Sequence, residues 1–218
     1  MTIRRGEDWG APGPLAANAP VVGGDADLAA LLDRAGTGVG EGLPIEAGLV
    51  GGDLHRTLGA PARSAGSLRS GEGLRLPCDA MEVELRRPDG ELVRRHAVAH
   101  VVFGRAARDG TPAWWRGRTV VVMNATHVGD LDLGPRAHPG DGLLDVTDGG
   151  LPRRDRRRAA DRAVTGTHVP HPALGERRAR EVLVEGLDHG MAWLDGVPAG
   201  AVVGGHVRVL PDALLVVV

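Results

Sequence analysis

From residue 74 to the C-terminus the chain is a succession of short apolar runs punctuated by Gly, Pro and Asp, and that rhythm leaves room for little besides strands. Residues 81–85 alternate apolar and polar, Pro88-Asp89-Gly90 makes a turn, and residues 92–103 read as one long return strand. Runs at 119–125, 143–146, 181–184, 191–194, 205–210 and 213–218 continue the series. Only residues 151–164 interrupt it, as a helix whose thin apolar face carries Leu151, Ala159, Ala160 and Val164. The pattern predicts a mainly β (α+β) chain with a β-sandwich body over 74–218.

The front is different. Residues 1–20 form a Gly/Pro/Ala-rich arm with Trp9 as an anchor, and residues 20–73 a small, truncated α/β segment. In that segment residues 19–24 read as a short buried strand ending in a turn. Residues 25–34 then place Leu28, Leu31 and Leu32 at helical spacing behind a capping Asp25. Residues 36–42 are expected to be a loop, and residues 45–50 a second strand. Gly51-Gly52-Asp53 leads into a short helix with Leu54 and Leu58, and residues 60–73 read as a linker.

Charge and cysteine content narrow the function classes. All 26 basic residues are Arg, and a formal charge of -2 gives no global reason to expect nucleic-acid binding. Cys78 is the single cysteine, so no intrachain disulfide can form, in keeping with a reducing compartment. Arg4 and Arg5 have no apolar stretch behind them, which argues against a signal peptide, and no run approaches the ~20 apolar residues of a membrane-spanning helix. The expected location is the cytoplasm. Residues 151–180 nevertheless hold nine Arg against three acidic residues. Arg153, Arg154, Arg156, Arg157 and Arg158 could meet an anionic membrane surface, or simply form a solvated helix face.

Several short motifs could carry chemistry. Gly23-Gly24-Asp25 and Gly51-Gly52-Asp53 each sit between a strand and a helix, where backbone N–H groups can cradle a phosphate; each is equally a common structural turn. Asp141 opens DGLLDV behind Pro139-Gly140, a tight turn that could also present oxygen ligands to a hard cation. His168 and His171 flank Pro170 in GTHVPHPAL without the cysteines or acidic cluster of a zinc site, so a structural role is expected. Trp114 and Trp115 fall in a loop, one ring for the core and one for a surface.

The order DGLLDV, Arg-rich helix, GTHVPHPAL, LDGVPAG (194–200) and VLPDAL (209–214) resembles the C-terminal domain of the bacterial diacylglycerol kinase-like lipid kinases. The resemblance implies a structural Mg²⁺ held by Asp141 with the carbonyls of His138 and Leu143. It also implies an ATP-binding front, with Gly23, Gly24 and Asp25 matching a Gly-Gly-Asp-Gly-Thr loop and Gly51, Gly52 and Asp53 a second loop. Ala26 and Asp27 replace the Gly and Thr of the first loop, which sets an anion beside the expected phosphate. In the family the Asp-Gly of LDG is followed by a Glu thought to act as the base; here that position is Val197, and a hydrocarbon accepts no proton. Asp195 is the nearest carboxylate by sequence. The expectation is a lipid kinase-like protein that has lost phosphoryl transfer and binds a lipid, a small ligand, a protein partner or a second copy of itself. The alternative is an active ATP-dependent diacylglycerol or related lipid kinase.

Overall fold

The computed structural model describes residues 9–36, 42–187 and 189–218. The front comprises β1 (Ala11–Pro12), β2 (Val21–Val22), α1 (Asp25–Ala35), β3 (Ile45–Leu49), α2 (Gly52–Thr57) and α3 (Ala65–Arg69). There follow β4 (Leu74–Arg86), β5 (Leu92–Ala97), β6 (His100–Gly104), β7 (Thr119–Met123), β8 (His127–Val128), β9 (Leu131–Asp132) and β10 (Leu144–Gly149). After α4 (Arg153–Ala163) come β11 (Leu174–Ala179), β12 (Glu181–Val184), β13 (Gly190–Leu194), β14 (Val197–Val202) and β15 (Gly204–Val217).

Two sheets face each other. The first runs β1-β4-β15-β3-β2, with β5 also on β4 and β12 also on β15; the second runs β11-β10-β7-β6-β13-β14. Alternation along β4 and β15 turns Met81, Val83, Leu85, Val207 and Val209 toward Val101, Phe103, Val120, Val122, Leu144 and Leu194 of the facing sheet. The outer face of the second sheet is covered by Trp115, Leu133, Leu151 and the Ala159/Ala163 stripe of α4. The β-sandwich expected from the sequence is therefore present.

The front does not stand apart from this body. β3 pairs in parallel with β15 (Leu214 opposite Ile45), and Leu28, Leu32, Leu49 and Leu54 pack with Leu76, Cys78 and Leu214. A boundary at residues 73/74 thus cuts through one sheet and one core. The arm is tied in as well: Trp9 Nε1 donates to Pro77 O at 2.9 Å, and β1 pairs with β4. Residues 1–8 of the arm and 37–41 of the expected 36–42 loop lie outside the described residues.

Three expectations need correction. The run at 92–103 is two strands, β5 and β6, which belong to different sheets and are joined by Val98-Ala99. The supposed linker contains α3, capped by Ser64 Oγ accepting from Ser67 N, with Leu68 fully buried. The runs at 205–210 and 213–218 are one strand, β15, whose register shifts between Leu210 and Leu214, where Asp212 takes φ +52°. VPAGAV, for which the sequence reading gave no element, forms β14 despite Pro198 and Gly200; it is an edge strand, where a missing N–H is tolerated.

Candidate functional site

The two Gly-Gly-Asp loops lie against each other at one end of the molecule. β2 and β3 are parallel neighbours, so the turns that follow them converge. A Cβ on Gly51 would sit 2.6 Å from Gly23 O, and one on Gly52, at φ +96°, 2.5 Å from Asp25 Oδ1. Asp25, only 7% exposed, accepts N–H bonds from Asp53 (2.5 Å) and Leu54 (3.2 Å). Burial, helped by the Asp195 charge, pushes its carboxyl up to about 7 against the pull of those two bonds. Asp25 thus fastens the first loop to the start of α2.

Asp195 fastens the same region to the body. With Gly196 it forms the two-residue turn between β13 and β14, both residues at positive φ (49° and 78°). Its carboxylate accepts from Val98 N (2.9 Å), Ala99 N (2.8 Å) and His100 N (3.0 Å), the stretch where the chain passes from one sheet to the other. Asn124, fully buried, closes the other side by donating Nδ2 to Asp79 O and Val98 O. Burial raises the Asp195 pKa. Both oxygens of this candidate base already hold backbone N–H groups, and freeing one would leave buried donors without partners.

Between Asp195 and Asp53 stands His100, 2% exposed, its Nδ1 3.6 Å from Asp53 Oδ2 and neither ring nitrogen hydrogen-bonded among the described residues. Burial lowers its pKa, so the ring is neutral at pH 7. Asp53 accepts from Gly129 N (3.1 and 3.0 Å), and Thr57 Oγ1 meets Thr126 Oγ1 at 3.1 Å. Thr126 Oγ1 in turn lies 2.6 Å from His127 Nδ1. Sequence reading missed His100, whose lone position in a strand run carried no signal.

Val197 is 51% exposed and lines a cavity of about 220 Å³ with Ala26, Ala29, Asp33, His96 and Pro198. Asp33 Oδ1 accepts from both His96 N (2.9 Å) and His96 Nδ1 (2.8 Å). The cavity therefore joins an apolar wall from α1 and β14 to one histidine–carboxylate pair.

Neither implied cofactor finds a matching donor set. At the turn expected to hold Mg²⁺, Asp141 Oδ1 accepts from Leu143 N at 3.0 Å and Oδ2 is ion-paired with Arg178. Arg178 Nε also lies 3.3 Å from Asp145, and the His138 carbonyl accepts from Gly140 N at 2.9 Å. A guanidinium thus fills the electrostatic role of the cation. At the phosphate loop, a Cβ on Gly24 would meet nothing within 4 Å, so there is room. But Asp27 Oδ2 hangs 3.7 Å from where a Gly23 Cβ would be, setting an anion beside a loop that would have to hold an anionic phosphate. The residues do not fit either group.

His168 and His171 stay apart in role: His168 is buried 6.0 Å from the Trp115 ring, and His171 Nε2 lies 3.8 Å from Asp155. No cluster of three or more His, Cys, Asp or Glu is placed to hold a metal among the described residues. Nor is any described helix long and apolar enough to cross a membrane.

Residues 91–218 match the family model described as the YegS C-terminal NAD kinase beta sandwich-like domain. The chain belongs to this family. The YegS C-terminal domain model starts just before β5 and takes in the turn of Asp141, the Asp195-Gly196 turn and Val197. A crystal structure of a diacylglycerol kinase from Bacillus anthracis str. Sterne is similar at TM-score 0.58 and 15% identity, over 90% of this chain and 74% of that one. Two further structures from the same organism reach TM-score 0.59 at 14% identity. They cover 82% and 90% of this chain and 72% and 76% of their own. At such identity the likeness is one of fold, and it extends beyond the YegS C-terminal domain into the front. No curated protein matches the chain.

Proposed function

We propose that this chain is a lipid kinase-like protein that no longer transfers a phosphoryl group and acts by binding a ligand in the cavity beside Val197. The observation that carries this reading is the pairing of a hydrocarbon at the base position with a neighbouring carboxylate, Asp195, already occupied by three N–H groups. Loss of a general base alone costs about 10²–10⁴-fold in rate. Asp27 beside the phosphate loop and Arg178 on Asp141 weigh in the same direction. The cavity's mostly aliphatic wall suits a small apolar group, with Asp33, His96 and Arg95 at hand for one polar function.

One observation favours the alternative, an active ATP-dependent diacylglycerol or related lipid kinase. Asp33 pairs with His96 Nδ1, which leaves Nε2 for a proton-accepting role, and His96 is one of the residues lining the cavity. One assay separates the readings: phosphoryl transfer from Mg·ATP to diacylglycerol in mixed micelles, with wild type, Val197→Glu and His96→Gln. The proposal expects no turnover by wild type. Wild-type turnover that His96→Gln abolishes would replace it with the kinase reading.

A further inference from the structure

At the opposite end of the second sheet the charge has the other sign. β6 runs away from His100, and Arg105 follows its last residue, ~17 Å further on at ~3.3 Å per residue. Arg105, Arg116, Arg153 and Arg156, with His189, line a cavity of about 530 Å³ whose apolar wall includes Ala113 and Met191. These side chains come from four separate segments: the end of β6, the loop before β7, the first turns of α4, and the approach to β13. None of the four arginines has a carboxylate within ion-pair distance among the described residues. The contrast lies next door, where Arg118 holds Asp148 through two bonds of 2.8 and 2.7 Å.

We propose that this cavity is a binding site for a phosphomonoester. Four arginines that line one cavity, with no ion-pair partner among the described residues, repel one another, and a ligand bringing nearly two negative charges and three acceptor oxygens relieves that repulsion. The planar fork of Arg suits such a group. Arg156 is already held, its Nε donating to Leu151 O at 2.8 Å, which leaves its two terminal nitrogens for a ligand. α4 begins at the rim without a side-chain cap, adding the positive end of an eleven-residue helix. A solvated helix face is the plainer reading of an Arg run. It accounts for Arg154, Arg157 and Arg158, which lie outside the lining, but not for Arg105 and Arg116 meeting Arg153 and Arg156 from other segments.

The phosphomonoester could be a soluble metabolite or the headgroup of a lipid. The test titrates the full chain with glycerol 3-phosphate by calorimetry. It also sediments the chain with phosphatidylcholine vesicles containing either phosphatidic acid or, at matched charge, phosphatidylserine. Two double variants remove the same charge: Arg105→Gln/Arg153→Gln within the cavity, and Arg154→Gln/Arg157→Gln on the same helix outside it. The expected result is saturable binding to glycerol 3-phosphate, or to phosphatidic acid vesicles in preference to phosphatidylserine. That binding should weaken about tenfold or more in the cavity variant and be kept in the outer one. Binding to glycerol 3-phosphate identifies the soluble source; binding to phosphatidic acid alone identifies the headgroup. No binding to either, equal binding to phosphatidylserine, or equal loss in both variants would overturn the site. The phosphoryl-transfer assay at Val197 reads the other end of the sheet, so either proposal can fail alone.

Discussion

The two ends of the second sheet handle charge in opposite ways. At the end beside the Gly-Gly-Asp loops, Asp25 and Asp195 are turned inward and satisfied by backbone N–H groups of Asp53, Leu54, Val98, Ala99 and His100. At the far end, Arg105, Arg116, Arg153 and Arg156 line a cavity with no ion-paired carboxylate among the described residues. A charge with internal partners serves the fold; a charge group left without them is available to something outside the chain. By that measure the proposal assigns the acidic end, where the family resemblance located chemistry, to structure, and the basic end to a ligand.

The largest effect that could break this comparison is Asp195→Ala. Three buried N–H groups would lose their acceptor at ~1–3 kcal/mol each, and alanine is disfavoured at φ +49°. We expect a loss of about 3 kcal/mol or more in urea denaturation, up to failure to fold. A loss below ~1 kcal/mol would mean that the carboxylate is not holding the sheet crossing.

Next in size is a pH effect at Asp25. Its proton is held to about pH 7 in the folded chain against an ordinary aspartate value of 3.8. Between those values the folded state therefore binds more protons, and stability falls as pH rises from ~4 to ~7, by ~4 kcal/mol at most. Asp25→Asn should flatten that fall relative to wild type in denaturation midpoints measured across the window. Asp79, raised to about 6, contributes the same sign in both proteins and cancels in the difference. Parallel curves would show that Asp25 is more solvated than its burial implies.

The smallest effect sharpens the view of Asp141. Arg178→Ala should cost about 1 kcal/mol, since the pair is partly exposed. It also leaves Asp141 and Asp145 without their shared guanidinium. Millimolar Mg²⁺ should then leave the wild-type Tm unchanged and raise that of the variant. A Mg²⁺-dependent rise in wild type would restore the cation to this turn.

Much of the body was legible because burial leaves a period in the sequence. The runs at 81–85, 119–125, 181–184 and 191–194 all lie on strands, and the Arg-rich segment is α4. What the sequence hid depends on partners remote in the chain. Nothing in Leu92 to Phe103 marks Val98-Ala99 as the place where the strand changes sheets, because Asp195 and Asn124 fix it from a distance. β11 has almost no apolar residue to betray it, being a charged edge held by backbone pairing to β10. Val197 was conspicuous by comparison with a family motif, whereas the role of Asp195 required the three N–H groups it faces. The arginine cavity was visible only as a run of charge on one helix; Arg105 and Arg116 join it through the fold alone.

The central claim is that the Gly-Gly-Asp end has given up nucleotide for structure, and titration of the purified chain with Mg·ATP by calorimetry tests it most directly. The account predicts no saturable heat. A single-site isotherm at micromolar concentration would contradict it, and would return Asp25, Asp53 and the loop glycines to the role that the family resemblance first suggested.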